Sequence, residues 1–238
     1  MKYFRNFSTI DYDMLGDGKT RQITDVFRKA RIDPRFLDDI TFYTYYTIRN
    51  GERPDTVSYK LYGRIDYHWT FGLLNPTLLE IRNDWPMNTI ELQDYVYEKY
   101  PKDVIMISDR NLCNNYRIGE VVQGLASNAR GTILSKDPNL GYMVINKTNS
   151  NTFISGELAL GQTSNNFLTI QGERKQYNAP HHYALGDGTI VDRFKVGAQQ
   201  ITNYEHEIEQ NEKHTRIKVI RPELIQVVAE KFISIITQ

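Results

Sequence analysis

Cysteine is nearly absent: Cys113 stands alone, which excludes an internal disulfide and any cysteine-based zinc cluster. A lone cysteine of this kind reads as a small buried hydrophobe, and its scarcity fits synthesis in a reducing compartment. An excess of either charge is missing as well. Lys plus Arg and Asp plus Glu both number 29, so no net field draws in nucleic acid or an anionic membrane, and the basic residues form no stripe that tracks a phosphate backbone. Long apolar runs are missing too: nothing approaches the roughly 18 residues of a spanning helix, and Met1-Lys2-Tyr3-Phe4-Arg5-Asn6 lacks an apolar signal core. These absences predict a chain made and kept soluble, with neither membrane nor nucleic acid among its partners.

What the chain has in quantity is aromatic side chains. Sixteen Tyr, ten Phe and two Trp make 12% of its 238 residues, and amphipathic rings suit surfaces that are apolar yet tolerate water, as interfaces are. The length allows one large domain or two small ones, each able to bury a core unaided.

The pattern along the chain changes twice. Phe42-Tyr43-Thr44-Tyr45-Tyr46-Thr47-Ile48 is aromatic and β-branched and runs into Asn50-Gly51, which predicts a strand and a turn. Asp55 is then placed to cap a helix whose face is Val57, Leu61 and Tyr62, stopped by Gly63; a second short helix fits Tyr67 to Leu74 and ends at Asn75-Pro76; a third fits Thr89 to Tyr100. From Ile118 to Ile170, short apolar runs broken by Gly, Asn, Ser and Asp-Pro predict a small antiparallel barrel. It contains an echo, Gly119-Glu120-Val121-Val122-Gln123-Gly124 and Gly156-Glu157-Leu158-Ala159-Leu160-Gly161, each followed by Ser-Asn, which reads as two similar strand–turn corners. Beyond it come a second Gly-Asp-Gly turn at Gly186 to Gly188 and a charged helix or arm over Tyr204 to His214. A half-buried strand at Arg216 to Val219 follows, then a final helix opened by Arg221-Pro222-Glu223. Leu224, Ile225, Val228, Phe232, Ile235 and Ile236 give that helix a wide apolar stripe, to be buried against its own domain or another chain.

Chemistry is harder to find. Gly16-Asp17-Gly18-Lys19-Thr20 imitates a phosphate-binding loop, but Asp13 stands where the leading glycine belongs and no buried strand leads in, so it reads as a turn. His181 and His182 are adjacent, and neighbours on a strand face opposite ways, so they predict no metal site. His206 and His214 lie in a charged segment, His68 sits between Tyr67 and Trp69, and Asp38-Asp39 reads as turn or cap. No catalytic residue, cofactor or metal is expected.

One stretch is specific. Tyr46-Thr47-Ile48-Arg49-Asn50-Gly51-Glu52-Arg53-Pro54-Asp55-Thr56-Val57-Ser58-Tyr59-Lys60-Leu61-Tyr62-Gly63, continued through Tyr67, Trp69 and Leu74-Asn75, resembles a LysM module in its order of strand, Gly-acid turn, helix, Tyr-Gly stop, second helix and Asn. The Arg53-Pro54-Asp55 variant, with Leu-Tyr-Gly and Tyr-x-Trp, resembles the baseplate wedge subunit of contractile-tailed bacteriophages that joins adjacent wedges. Thr24-Asp25-Val26-Phe27-Arg28 is similar to a run in that family's N-terminal arm. Tyr204-Glu205, Asn211-Glu212-Lys213, Ile217-Lys218-Val219-Ile220 and the terminal helix are similar to its C-terminal arm.

The resemblance covers the two ends and leaves the barrel-like middle unmatched, which reads as an insertion, so the fold expected is α+β: an N-terminal arm over 1–40, a LysM-like βααβ domain over 41–116, an inserted small antiparallel β-barrel over 117–172, and a C-terminal arm with strand and amphipathic helix over 173–238. It implies a non-enzymatic virion subunit, assembled in the host cytoplasm into the tail baseplate. Its partners would be other wedge subunits in sixfold array, and peptidoglycan is not expected among them. Tyr46, Tyr59, Leu61, Tyr62 and Trp69 are expected in the module core. Protein-interface candidates are Phe27, Tyr204, Arg216, Ile225, Phe232 and Ile236, with closure of the chain's own domain by the terminal helix as the alternative. A cell-wall binder or tail peptidoglycan hydrolase using the LysM-like fold is the competing function. A third is a tail subunit whose barrel binds a sugar or another virion protein.

Overall fold

A computed structural model of the chain describes residues 7–25, 39–78 and 84–236, with side chains through Ser234. Phe27 lies outside the described residues, as does the side chain of Ile236. The fold is mixed α and β and falls into two compact units: residues up to Thr89 together with those from Asn211 on, and Ile90–Gln210. Among the described residues, no helix is long and apolar enough to cross a membrane.

In the first unit, strands β1 (Thr9–Tyr12) and β2 (Arg21–Thr24) pair antiparallel as a hairpin. Strand β3 (Tyr43–Thr47) pairs antiparallel with the last strand, β13 (Arg216–Ile220), so the sheet partner of β3 comes from the far end of the chain. Between them in sequence lie the helix Pro54–Tyr62, a 3-10 turn at Ile65–Tyr67, and the short helix Thr70–Leu74. The first helix starts with Pro54 just inside its end, where a missing N–H costs nothing, and stops at Gly63 in the left-handed region (φ 70°). Asp55 is not its cap: the cap position is Arg53, and Asp55 sits in the first turn, where its charge suits the helix dipole.

Two apolar clusters fill this unit. Ile48, Val57, Phe71, Leu78, Ile217 and Val219 form one, with Tyr46, Leu61, Tyr62 and Trp85 against it. The other holds Phe7, Tyr43, Tyr67, Trp69, Leu74 and Ile220 beneath Ile225, Ala229 and Phe232 of the terminal helix Ile225–Ile236. The Trp69 and Phe232 rings lie 4.2 Å apart. Tyr59, expected in the core, is instead 62% exposed, on the side of its helix away from Val57.

The second unit is a closed six-stranded antiparallel barrel with additions. Its strands are β4 (Asp103–Ile107), β5 (Val121–Gly124), β6 (Arg130–Asp137), β7 (Tyr142–Lys147), β8 (Leu158–Gly161) and β9 (Phe167–Lys175), ordered β4-β7-β6-β5-β8-β9 around the wall. Ile105, Ile107, Tyr116, Val122, Ile133, Met143, Ile145, Phe153, Leu168 and Ile170 are among the side chains that fill it, which is how a barrel this narrow is packed. Cys113 is buried in the same core, and burial pushes its thiol up.

The barrel begins before residue 117 and ends after 172. Val104 and Met106 are buried on the other face of β4, against Val144 and Ala179, so Asp103–Ile107 is apolar on both sides and shows no alternation from which to recognise a strand. Residues 90–116, expected in the first domain, therefore belong to the second unit. So do 173–210, which carry β10 (Pro180–Ala184), β11 (Ile190–Val191), β12 (Gln199–Thr202) and most of the helix Asn203–Lys213.

The sequence echo is a structural pair. Strands β5 and β8 run antiparallel, with Gln123 opposite Leu160, and their corners exchange carboxylates. Glu120 accepts from Arg117 N, Thr163 N, Ser164 N and Ser164 Oγ; Glu157 accepts from Ile154 N, Ala126 N, Ser127 N and Ser127 Oγ. Each acid thus closes the Ser-Asn turn of the other half, where Asn128 and Asn165 take matching positive φ of 55° and 56°. Gly124 and Gly161 are needed because a Cβ at either would overlap the other half's glutamate and its own turn's serine.

Candidate functional site

The loop that imitates a phosphate cradle already holds an anion of its own. Asp13 Oδ1 accepts from the backbone N–H groups of Leu15, Gly16 and Asp17, and Oδ2 from Gly18 at 2.8 Å. These donors are what a bound phosphate would require. The Gly18 bond contributes most to holding the Asp13 carboxyl below its ordinary value. The residue that breaks the motif is the residue that closes the β1–β2 loop.

The polar residues of the LysM resemblance are also spent internally. Glu52 accepts from Tyr46 Oη (2.8 Å) and Arg49 N (2.9 Å) and pairs with Lys60, while its carbonyl receives Trp85 Nε1 at 2.6 Å. Asn75 is buried and bonds like a strand residue to Lys218: Nδ2 donates to the Lys218 carbonyl and Oδ1 accepts its N–H, both at 2.8 Å. Tyr62 Oη donates to the Ile220 carbonyl.

What this unit presents outward is the Tyr45–Arg216 end of the other face of the β3–β13 sheet, whose Tyr43–Ile220 end is buried with the terminal helix. Tyr45 is 51% exposed, with the Arg216 guanidinium 4.3 Å from its ring centre and the Tyr43 ring edge-on at 5.6 Å. Lys218 Nζ lies 4.4 Å from the Tyr43 ring. The result is an amphipathic, cationic–aromatic strip on a rigid two-stranded ribbon, chemistry common where proteins meet.

Of the interface residues expected from sequence, Arg216 lies on this strip, and Tyr204 is half-buried at the start of its helix in the second unit. Ile225 and Phe232 are corrected. They are 4% and 5% exposed in the first unit's own core, so the stripe of the terminal helix closes its own domain at these positions.

The strongest side-chain cluster in the second unit is one the sequence argued against. A register shift between Pro180 and His182, where β10 meets β12, breaks the alternation of the strand, and a bulge of this kind re-aims a side chain. His181 Nδ1 and His182 Nδ1 come within 2.9 Å of each other. The third member is delivered by the helix after β12. Thr202 caps it reciprocally: Thr202 Oγ1 accepts the Glu205 N–H, and Glu205 Oε2 accepts the Thr202 N–H at 2.7 Å. Buried Asn203 donates to the Gln176 carbonyl. With that start fixed, the His206 ring stacks on His181 at 3.7 Å and 8°.

One nitrogen from each of the three histidines lies within 4.8 Å of the others, and among the described residues no other group of three such side chains does so. Burial is the main influence holding His181 below its ordinary value, followed by the charges of His206 and His182. Neighbouring Glu207 is buried, which pushes its carboxyl up, but bonds from Lys99 Nζ (2.9 Å) and Tyr100 Oη (2.8 Å) hold it below the usual range. The Thr202-x-x-Glu205 box was the sequence signal that could have placed His206. The bulge at Pro180 left none.

His68 and His214 are accounted for locally, each with Nδ1 against a backbone carbonyl, that of Ile65 and that of Asp84. Compared with known protein-family models and with curated proteins, the chain matches none.

Proposed function

We propose that the chain is a structural subunit of the baseplate wedge of a contractile bacteriophage tail, binding wedge core subunits and joining adjacent wedges. In this reading β3, the helices Pro54–Tyr62 and Thr70–Leu74, and β13 are a LysM-like βααβ module, and the barrel unit is inserted between its second helix and its last strand. The observation that carries the reading is the strip of exposed Tyr45 and Arg216 with half-buried Lys218, on the unit that bears the resemblance. It is supported from the other side by Glu52, Asn75 and Tyr62, whose polar groups serve the module itself and leave fewer to recognise a sugar. A peptidoglycan binder or hydrolase is the competing reading.

Co-expression with the other wedge proteins of its phage, followed by purification through a tag on this chain, tests the proposal. A stoichiometric complex that ignores peptidoglycan is expected, with recovery falling about tenfold or more for the Tyr45→Ala, Arg216→Glu double variant, the scale of a lost interface anchor. A chain recovered alone, and bound by cell wall, would overturn it.

A further inference from the structure

Three imidazoles on one spot are an unstable arrangement unless something satisfies them. The Nδ1 atoms of His181 and His182 face each other at 2.9 Å, so a hydrogen bond between them needs one as donor and the other as acceptor. The Nδ1 of His206 is buried and has no hydrogen-bond partner. An orphaned ring nitrogen costs free energy. An unpartnered, buried imidazole nitrogen beside two others is the arrangement in which a histidine cluster ligates metal.

We propose that His181, His182 and His206 form a site for a divalent transition-metal ion of borderline softness, Zn2+ being the type, which clips strand β10 to the helix Asn203–Lys213. Two ligand nitrogens on a tetrahedral zinc stand about 3.4 Å apart, given metal–nitrogen bonds of about 2.0–2.1 Å. The three donors lie within 4.8 Å of one another, so reaching that spacing calls for ring rotations that open the His181–His206 stack. All-imidazole ligation selects zinc, nickel, cobalt or copper over magnesium and calcium, which take oxygen. The carboxylate of Glu207, next in sequence to His206 and bonded by Lys99 and Tyr100, supplies acidic oxygens beside the site. The supports are stiff on both sides: the capping box and Asn203 fix the helix start, and the β10–β12 pairing fixes the strand. Nothing in this inference depends on the baseplate reading.

The test is titration of the metal-stripped, full-length chain, without a histidine tag, with ZnCl2 by calorimetry, alongside thermal unfolding. One zinc per chain is expected, with a rise in melting temperature and no response to MgCl2. His182→Gln and His206→Gln should each weaken zinc binding at least about tenfold, while His68→Gln should leave it unchanged. Absence of stoichiometric binding, or binding undiminished in both variants, would overturn the site. Because a variant can fail to fold, the wild-type chain is also titrated with Co2+. Intense visible d–d bands from a low-coordinate nitrogen site support the proposal, and the faint spectrum of the aqueous ion alone counts against it.

Discussion

Glu120 and Glu157 each sit almost out of solvent with four donors aimed at the carboxylate. Burial pushes both carboxyls up, yet the bonds outweigh it and hold both below the ordinary value of 4.5. An unfolded chain binds protons here before the folded one does. Their stabilisation is therefore complete above about pH 4.5 and is lost as pH falls through the lower folded-state values. Denaturant titrations across that range should show the barrel weakening on acidification. Glu157→Gln replaces one acceptor with an amide N–H2 facing donors, and should cost about 1–3 kcal/mol at neutral pH while flattening the acid response. An unchanged midpoint would mean the turn at Ser127 is held by other contacts. The same logic applies to Asp13 in the β1–β2 loop, where the carboxylate takes up the N–H groups that a nucleotide would need.

Elements whose apolar residues keep a clean period were legible in the sequence. Tyr43–Thr47, Pro54–Tyr62, Thr89–Lys99 and Arg216–Ile220 form where periodicity and their Gly or Pro boundaries placed them. The second short helix broke into a 3-10 turn and the helix Thr70–Leu74, the Thr70 hydroxyl donating back to the Tyr67 carbonyl at the join. Strand β4 was illegible for the opposite reason, being apolar on every side. Two assignments depended on tertiary pairing that no local pattern encodes: β13 as the partner of β3, and the bulge that turns His181 toward His182. At the terminal helix the stripe was visible but its occupant was not, since an apolar face does not say whose surface covers it. Packing now answers for Phe232, whose ring meets Trp69. Phe232→Ala should cost about 3–5 kcal/mol in the isolated chain, read as a lower urea midpoint. A loss confined to wedge assembly, with stability intact, would return Phe232 to the interface.

For the molecule as a whole, the decisive feature is where one unit interrupts the other. The chain leaves the first unit near Met87 and re-enters it at Asn211, and these residues are bonded to each other: Asn211 Oδ1 accepts the Met87 N–H at 2.8 Å, and its Nδ2 donates to the Met87 carbonyl at 3.0 Å. Holding the exit and entry points together makes the length of what lies between them thermodynamically cheap to change, because loop-closure cost grows only slowly with length. Replacing residues 90–210 by a short Gly-Ser linker should leave the first unit folded and cooperative, as circular dichroism and a single thermal transition would report. An unfolded product would mean the first unit depends on the second. Cutting at 117–171 instead severs a closed barrel and should not give a folded chain. Within that barrel, Glu120 guards the turn at Ser164 while Glu157 guards the turn at Ser127. Neither half is a finished object, since each holds a key to the other's lock and none to its own. Losing either carboxylate therefore leaves donors unmet in the opposite turn, so damage to one corner of the barrel is felt across the sheet.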